Sequence, residues 1–227
     1  MKLPNKPILV MVATIEPALE FKVWQAIQGG LDMVILRAKE ENLESIKNSL
    51  SILRTALGNE FPIMVNAGNR LPKFAQASGY HLPEASMSDE VVKHNLEKLG
   101  WKIGQEPKAN TKMKALGVSV HSVQAAGEAE KLNPDYLLVG TIFDTVSHKG
   151  EEPGGIEHLR SICSATKVPV IAIGGITPKN AGECIRAGAI GVAAMSPFKG
   201  AGRQELAKAY KEAMNVMPTE AERSGGI

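Results

Sequence analysis

The chain has 227 residues, and 26 lysines and arginines oppose 24 aspartates and glutamates, a formal net charge of +2. That balance excludes a broad basic footprint for nonspecific nucleic-acid binding. No run approaches the ~18 consecutive apolar residues of a membrane-spanning helix, and the two cysteines, Cys163 and Cys184, form neither a disulfide framework nor a zinc motif.

Taken in chain order, aliphatic and β-branched runs predict eight strands, at 8–13, 33–36, 63–65, 80–82, 115–120, 136–139, 168–173 and 190–194. Amphipathic stretches separate them. In Leu43–Leu57, Leu43, Ile46, Leu50, Leu53 and Leu57 fall at helical spacing. Helix-to-strand junctions, Gly-Gly-Leu-Asp at 29–32 and Ala-Gly-Ala-Ile at 187–190 among them, recur at intervals of about 50 residues, which fits pairs of βα units. Eight such units nearly exhaust the chain, so the predicted fold is α/β, a single (β/α)8 TIM barrel over residues 1–216. A doubly wound sheet is the alternative, but no glycine-rich turn follows the first strand. Residues 101–113 look like an insertion, and 217–227 like a disordered tail. Both cysteines fall in helical stretches and read as small core residues. The polar start carries no signal-peptide cleavage pattern, so a cytoplasmic setting is expected, with neither nucleic-acid nor membrane partners.

In a barrel of this kind the functional groups come from the C-terminal ends of the strands. After the second strand, Ile35, Arg37 and Lys39 share a face, opposite Val34, Leu36 and Ala38. Two cations at the mouth suit an anionic ligand; a salt bridge to Glu40 is the other option. Asn66 ends the third strand. Glu84 follows the fourth as the nearest candidate carboxylate, and the other reading of it is a solvated loop residue. In the fifth, Gly117, Ser119 and His121 point inward, and His121 either faces the mouth or orients the next helix. The loop after the sixth strand carries Thr145, Ser147, His148 and Lys149, polar groups with a titratable imidazole. The last two strands end in Gly174-Gly175-Ile176-Thr177 and Met195-Ser196. Loops there recurrently hold phosphate, through backbone N–H groups and a helix N-terminus.

Residues 34–39, 117–121, 140–149, 170–177 and 187–196, in register, resemble the thiamine phosphate synthase and TenI (thiazole tautomerase) superfamily over roughly residues 8–214. The resemblance implies a TIM barrel with a small phosphorylated thiazole or pyrimidine ligand, and a homodimer is plausible. It places the diphosphate on Arg37, Lys39 and Ser119, and it matches Asn66 to the family's asparagine ahead of a metal-binding aspartate. It places a thiazole phosphate on Thr145, Ser147, Gly175, Met195 and Ser196, with His148 where the synthase usually has lysine and Lys149 following. The family's Gln-x-Arg-x-Lys reads Ile35, Arg37 and Lys39 here. Its two metal-binding aspartates correspond to Ala67 and Ser86. Magnesium beside phosphates usually takes one or two carboxylates, so those changes point away from a magnesium-assisted synthase.

The stretch 81–88 resembles TenI-type proteins, which aromatise a thiazole carboxylate phosphate by proton transfer, without a cofactor. The histidine of the characterised type corresponds to Thr141, which leaves His148 and His121 as candidate acid/base groups. Three readings stay open. The first is a TenI-like tautomerase that needs no cofactor. The second is a thiamine phosphate synthase, the only one calling for Mg2+. The third is a non-catalytic phosphate-ligand binder.

Overall fold

The computed structural model describes residues 7–103, 115–145, 150 and 152–215. Eight parallel strands close into one barrel in sequence order: β1 (Ile8–Thr14), β2 (Met33–Arg37), β3 (Ile63–Asn66), β4 (Gly79–Leu82), β5 (Leu116–Val120), β6 (Tyr136–Val139), β7 (Val170–Ile173) and β8 (Gly191–Ala194). Closure comes from β1 against β8, with Ile8 opposite Gly191 and Met11 opposite Ala194. Each predicted strand appears within two residues of its expected bounds.

Alternation along the strands builds two cores. Leu9, Met11, Val34, Leu36, Val118 and Val120 face outward, under the helices. Val10, Val12, Met33, Ile35, Met64, Leu138 and Ile171 fill the barrel. Tyr136 joins this inner layer because Gly117 has no side chain: a Cβ there would sit 2.1 Å from the Tyr136 ring.

The helices are α1 (Leu19–Gln28), α2 (Leu43–Leu57), α3 (Glu90–Lys98), α4 (Val123–Glu130), α5 (Gly155–Ala165), α6 (Pro178–Arg186) and α7 (Arg203–Met214). α2 has the predicted bounds. Asn42 caps it by accepting from the Ser45 amide at 2.8 Å, and Gly58 follows its end. Cys163 lies in α5 and Cys184, fully buried, in α6. Burial pushes their thiols up to about 11 and about 12, so neither is a thiolate at neutral pH.

Two expectations need correction. The third βα unit has no helix: residues 67–78 cross from β3 to β4 as turns and extended chain. Gly68, at φ 66°, and Pro72 interrupt any helical run there. Leu71 and Phe74 cover the barrel instead, with the Phe74 ring 6.4 Å from that of Tyr80. Arg54 on α2 pins the far end of this stretch through the Gln76 carbonyl (2.6 Å) and the Ser78 hydroxyl (2.9 Å). Nor is Trp101 part of an insertion. It is buried, and its indole N–H donates to the Leu132 carbonyl at 2.8 Å. Residues 104–113 of the expected insertion, and the tail at 217–227, lie outside the described residues.

At the other end of the chain, α7 packs on α1, and Lys211 reaches the Pro7 carbonyl (2.6 Å) and Asp32 (2.8 Å). No helix among the described residues is long and apolar enough to cross a membrane.

Candidate functional site

A cavity of about 610 Å3 opens at the C-terminal ends of the strands. Its floor is apolar, from Val12, Ile35, Leu138, Ile173 and Ala193. Polar groups from β2 through β8 ring its rim, where the alternation of each strand ends in a loop.

Most of the expected site residues meet here. Arg37, Lys39, Asn66, Ser119, His121, Thr145, Gly174, Gly175, Met195 and Ser196 all line the cavity. His148, Ser147 and Lys149 lie outside the described residues. Arg37 and Lys39 form no ion pair with any described carboxylate, so the alternative bridge to Glu40 is not made. Two cations, Arg37 and Lys39, therefore face the mouth with no counter-charge bound to them among the described residues, a setting that favours an anion. Asn66 is nearly buried, and its side-chain oxygen accepts from the Gly68 amide at 3.2 Å, which fixes the β3 loop.

The glycines after β7 also serve packing between loops. Gly174 (φ 104°) and Gly175 (φ 62°) let this loop pack against the loop after β6. A Cβ on Gly174 would lie 2.8 Å from Thr141 Cα, and one on Gly175 2.3 Å from the Asp144 carbonyl. Asn180 staples the same loop by accepting from the Thr177 amide (2.7 Å) and donating to the Gly175 carbonyl (3.2 Å). Among the described residues, the amides of Gly175, Ile176 and Ser196 donate to no partner. These three amides are donors of the kind a phosphate cradle uses.

One group at the mouth escapes a reading by sequence alone, and so does the partner of a second. His81 on β4 points into the barrel and is fully buried. Its ring stacks on Tyr136 at 5.6 Å; Nδ1 lies 3.1 Å from the Tyr136 hydroxyl and Nε2 2.8 Å from Ser119 Oγ. Burial first, and the positive Lys39 second, push its pKa down to about 3. Burial also pushes Tyr136 well above the usual phenol range. The phenol thus keeps its proton, and its acceptor among the described residues is His81 Nδ1. That fixes the tautomer: Nε2–H donates to Ser119, and the Ser119 hydroxyl is free to donate into the mouth. His81 is a neutral relay and no acid or base at physiological pH. The available signal was the strand alternation, which sends His81 inward, and its register opposite Gly117.

The second is Glu84. Partly exposed, it begins a short 3-10 turn, Glu84–Ser86, and lines the cavity. Its Oε2 takes His121 Nδ1 at 2.7 Å. His121 does not orient the next helix; Ser122 caps α4 by accepting from the Ala125 amide at 3.0 Å. His158 on α5 instead bonds the His121 carbonyl at 3.0 Å. With Nδ1 held by the carboxylate, Nε2 is the ring atom that can exchange a proton at the mouth.

The family model described as thiamine monophosphate synthase matches residues 9–198. A thiamine-phosphate synthase of Pyrococcus furiosus is 30% identical over 221 residues, covering 96% of this chain and 98% of its own. One of Moorella thermoacetica is 36% identical over 190 residues, 82% of each chain. The solved thiamine phosphate pyrophosphorylase of Pyrococcus furiosus superposes with a TM-score of 0.74 at 26% identity, over 92% of this chain and 96% of its own. A barrel fold, phosphate-suited loops after β7 and β8, and a match across most of the chain lead to one conclusion: the chain belongs to the thiamine monophosphate synthase family, within the wider thiamine phosphate synthase and TenI superfamily.

Proposed function

We propose that this chain binds a phosphorylated thiazole at the barrel mouth and catalyses a proton shift on it, as a TenI-like tautomerase. The observation that carries this reading is the Glu84–His121 pair at the rim of the cavity. The carboxylate holds one ring nitrogen, so a neutral imidazole presents the other as a base. His121 takes a proton from one carbon of the non-aromatic tautomer and returns one to another carbon. Atoms and charge balance, no electron is exchanged, and aromaticity supplies the driving force. The amides after β7 and β8 hold the phosphate, Thr145 lines the same wall, and the Ser119 hydroxyl donates to a ring substituent or carboxylate.

The family also implies magnesium for synthesis of thiamine phosphate, and this chain's residues do not fit it. Magnesium wants hard oxygen ligands in octahedral array. At the family's two carboxylate positions stand Ala67, 2% exposed, and Ser86, fully buried and donating to Asn69. Among the described residues no three histidine, cysteine or acidic side chains cluster as a metal set. The proposed proton shift calls for no cofactor.

The names of the curated relatives favour a second reading, thiamine phosphate synthase itself, and the retained Arg37 and Lys39 suit its diphosphate. One experiment separates the two. The purified chain is given the thiazole carboxylate phosphate tautomer, and in parallel thiazole phosphate with hydroxymethylpyrimidine diphosphate and Mg2+. Tautomer turnover that falls ~100-fold in His121→Ala and ~10-fold in Glu84→Gln supports the first reading. Turnover lost in His148→Ala and intact in His121→Ala moves the base to the β6 loop. Thiamine phosphate without tautomer turnover overturns the proposal in favour of the synthase.

A further inference from the structure

The connection from β3 to β4 lacks a helix, yet it carries the most heavily bonded polar residues near the mouth. Arg70 directs its guanidinium at four backbone carbonyls: Glu41 (2.7 Å), Lys39 (2.6 Å), Ala38 (3.0 Å) and its own loop's Ala67 (3.2 Å). Three of them belong to the loop after β2, which presents Lys39 to the cavity. The next residue back, Asn69, reaches the other way. Its amide nitrogen donates to Asp89 at 2.8 Å, and its oxygen accepts from the buried Ser86 hydroxyl. Asp89 in turn caps α3 through the Val91 amide (2.8 Å). Ser86 closes the 3-10 turn that Glu84 begins.

We infer that Asn69 and Arg70 are positioning residues: together they clasp the loops after β2, β3 and β4 into one rim that presents Arg37 and Lys39 on one side and Glu84 on the other, with no metal ion. The inference rests on the proposed reading of this mouth as an anion site. The two positions where the family resemblance places metal carboxylates are the two the clasp consumes. The Ala67 carbonyl accepts from Arg70 Nε, and the Ser86 hydroxyl donates to the Asn69 side-chain oxygen. A divalent ion there would join the β3 and β4 loops; the hydrogen-bond chain joins the same loops with neutral and cationic groups. A guanidinium suits the task because its five N–H donors form a rigid fork, which a lysine ammonium does not reproduce. All four partners of Arg70 are neutral carbonyls, and it has no ion pair among the described residues. Its charge therefore adds to the field of Arg37 and Lys39 at the rim.

The test is calorimetric titration of the full chain with inorganic pyrophosphate, in EDTA and again with excess Mg2+, together with thermal melts. The parent is expected to bind in EDTA, and Mg2+ to tighten binding by less than about threefold. Arg70→Lys keeps the charge and loses the fork, so it is expected to bind ~10-fold more weakly with a melting temperature close to the parent's, and Mg2+ is not expected to restore it. Asn69→Ala is expected to leave pyrophosphate affinity within about threefold, because it frees the β4 side, and to lower tautomer turnover through Glu84 without raising KM. A purely structural role would lower the melting temperatures and spare the affinity of the folded fraction. Parent binding that appears only with Mg2+, or Arg70→Lys binding as the parent does, overturns the clasp. Absence of parent binding in both buffers overturns the anion site itself, and the clasp with it.

Discussion

Acidification is the most direct probe of the interior of this barrel. In the unfolded chain His81 protonates near its ordinary value of ~6.5. In the folded protein it stays neutral down to about 3, because burial and Lys39 both disfavour the charge. Between those values the unfolded state binds the extra proton, so stability is full above ~6.5 and drains away as pH falls through the window. From about pH 7 to about pH 4 this single group removes about 3 kcal/mol, a large part of the 5–15 kcal/mol typical of a domain. Urea unfolding followed by far-UV circular dichroism at both pH values measures the loss. His81→Gln keeps a hydrogen-bonding side chain and has no proton to take up, so its loss is expected to be smaller than the parent's by that amount. Equal losses in parent and variant would refute the reasoning. If the variant does not fold, the imidazole proton resonances of the parent decide the matter: His81 is expected to hold its neutral shift to about pH 4, and titration near pH 6.5 sinks the idea.

Other substitutions test the packing around the same residues. Gly117→Ala drives a methyl into the Tyr136 ring, 2.1 Å from its Cζ. It is expected to cost about 1–3 kcal/mol or more by denaturant titration and to loosen the His81–Ser119 bond, visible as a changed His81 resonance. Trp101→Phe keeps most of the buried ring and strands the Leu132 carbonyl, so a loss of about 1–3 kcal/mol is expected in the same titration.

Much of the architecture is legible in the sequence because strands of a parallel barrel are buried on both faces and read as continuous aliphatic runs. α2 is bracketed by its own punctuation, Asn42 before and Gly58 after, so its bounds are local information. The errors arise where the decisive partner is distant in sequence. Trp101 looks like part of a polar insertion until the Leu132 carbonyl appears 31 positions later. Glu84 looks solvated until the barrel closes and sets it against His121, 37 positions away. His81 sits in a short strand whose neighbours are apolar, and its partners Ser119 and Tyr136 come from the next two strands. The missing third helix is a different kind of error. Gly68 and Pro72 were visible, but a repeat of eight units argued for a helix that the local residues do not support.

The missing helix also changes how the outer layer is joined. α4, α5, α6, α7, α1 and α2 touch in succession, a belt in which the last helix, α7, meets the first, α1. Among the described residues α3 has no comparable helical neighbour on either side. The belt's gap therefore lies in mid-sequence, beside the stretch that carries Asn69 and Arg70, and the contact of α7 with α1 falls within its continuous part. Hydrogen exchange should proceed outward from that gap, with amides of residues 67–78 and α3 opening before those of α7 and α1. The part of the barrel that yields first is then the part that shapes the rim, so small fluctuations of the scaffold reach the site without the molecule unfolding.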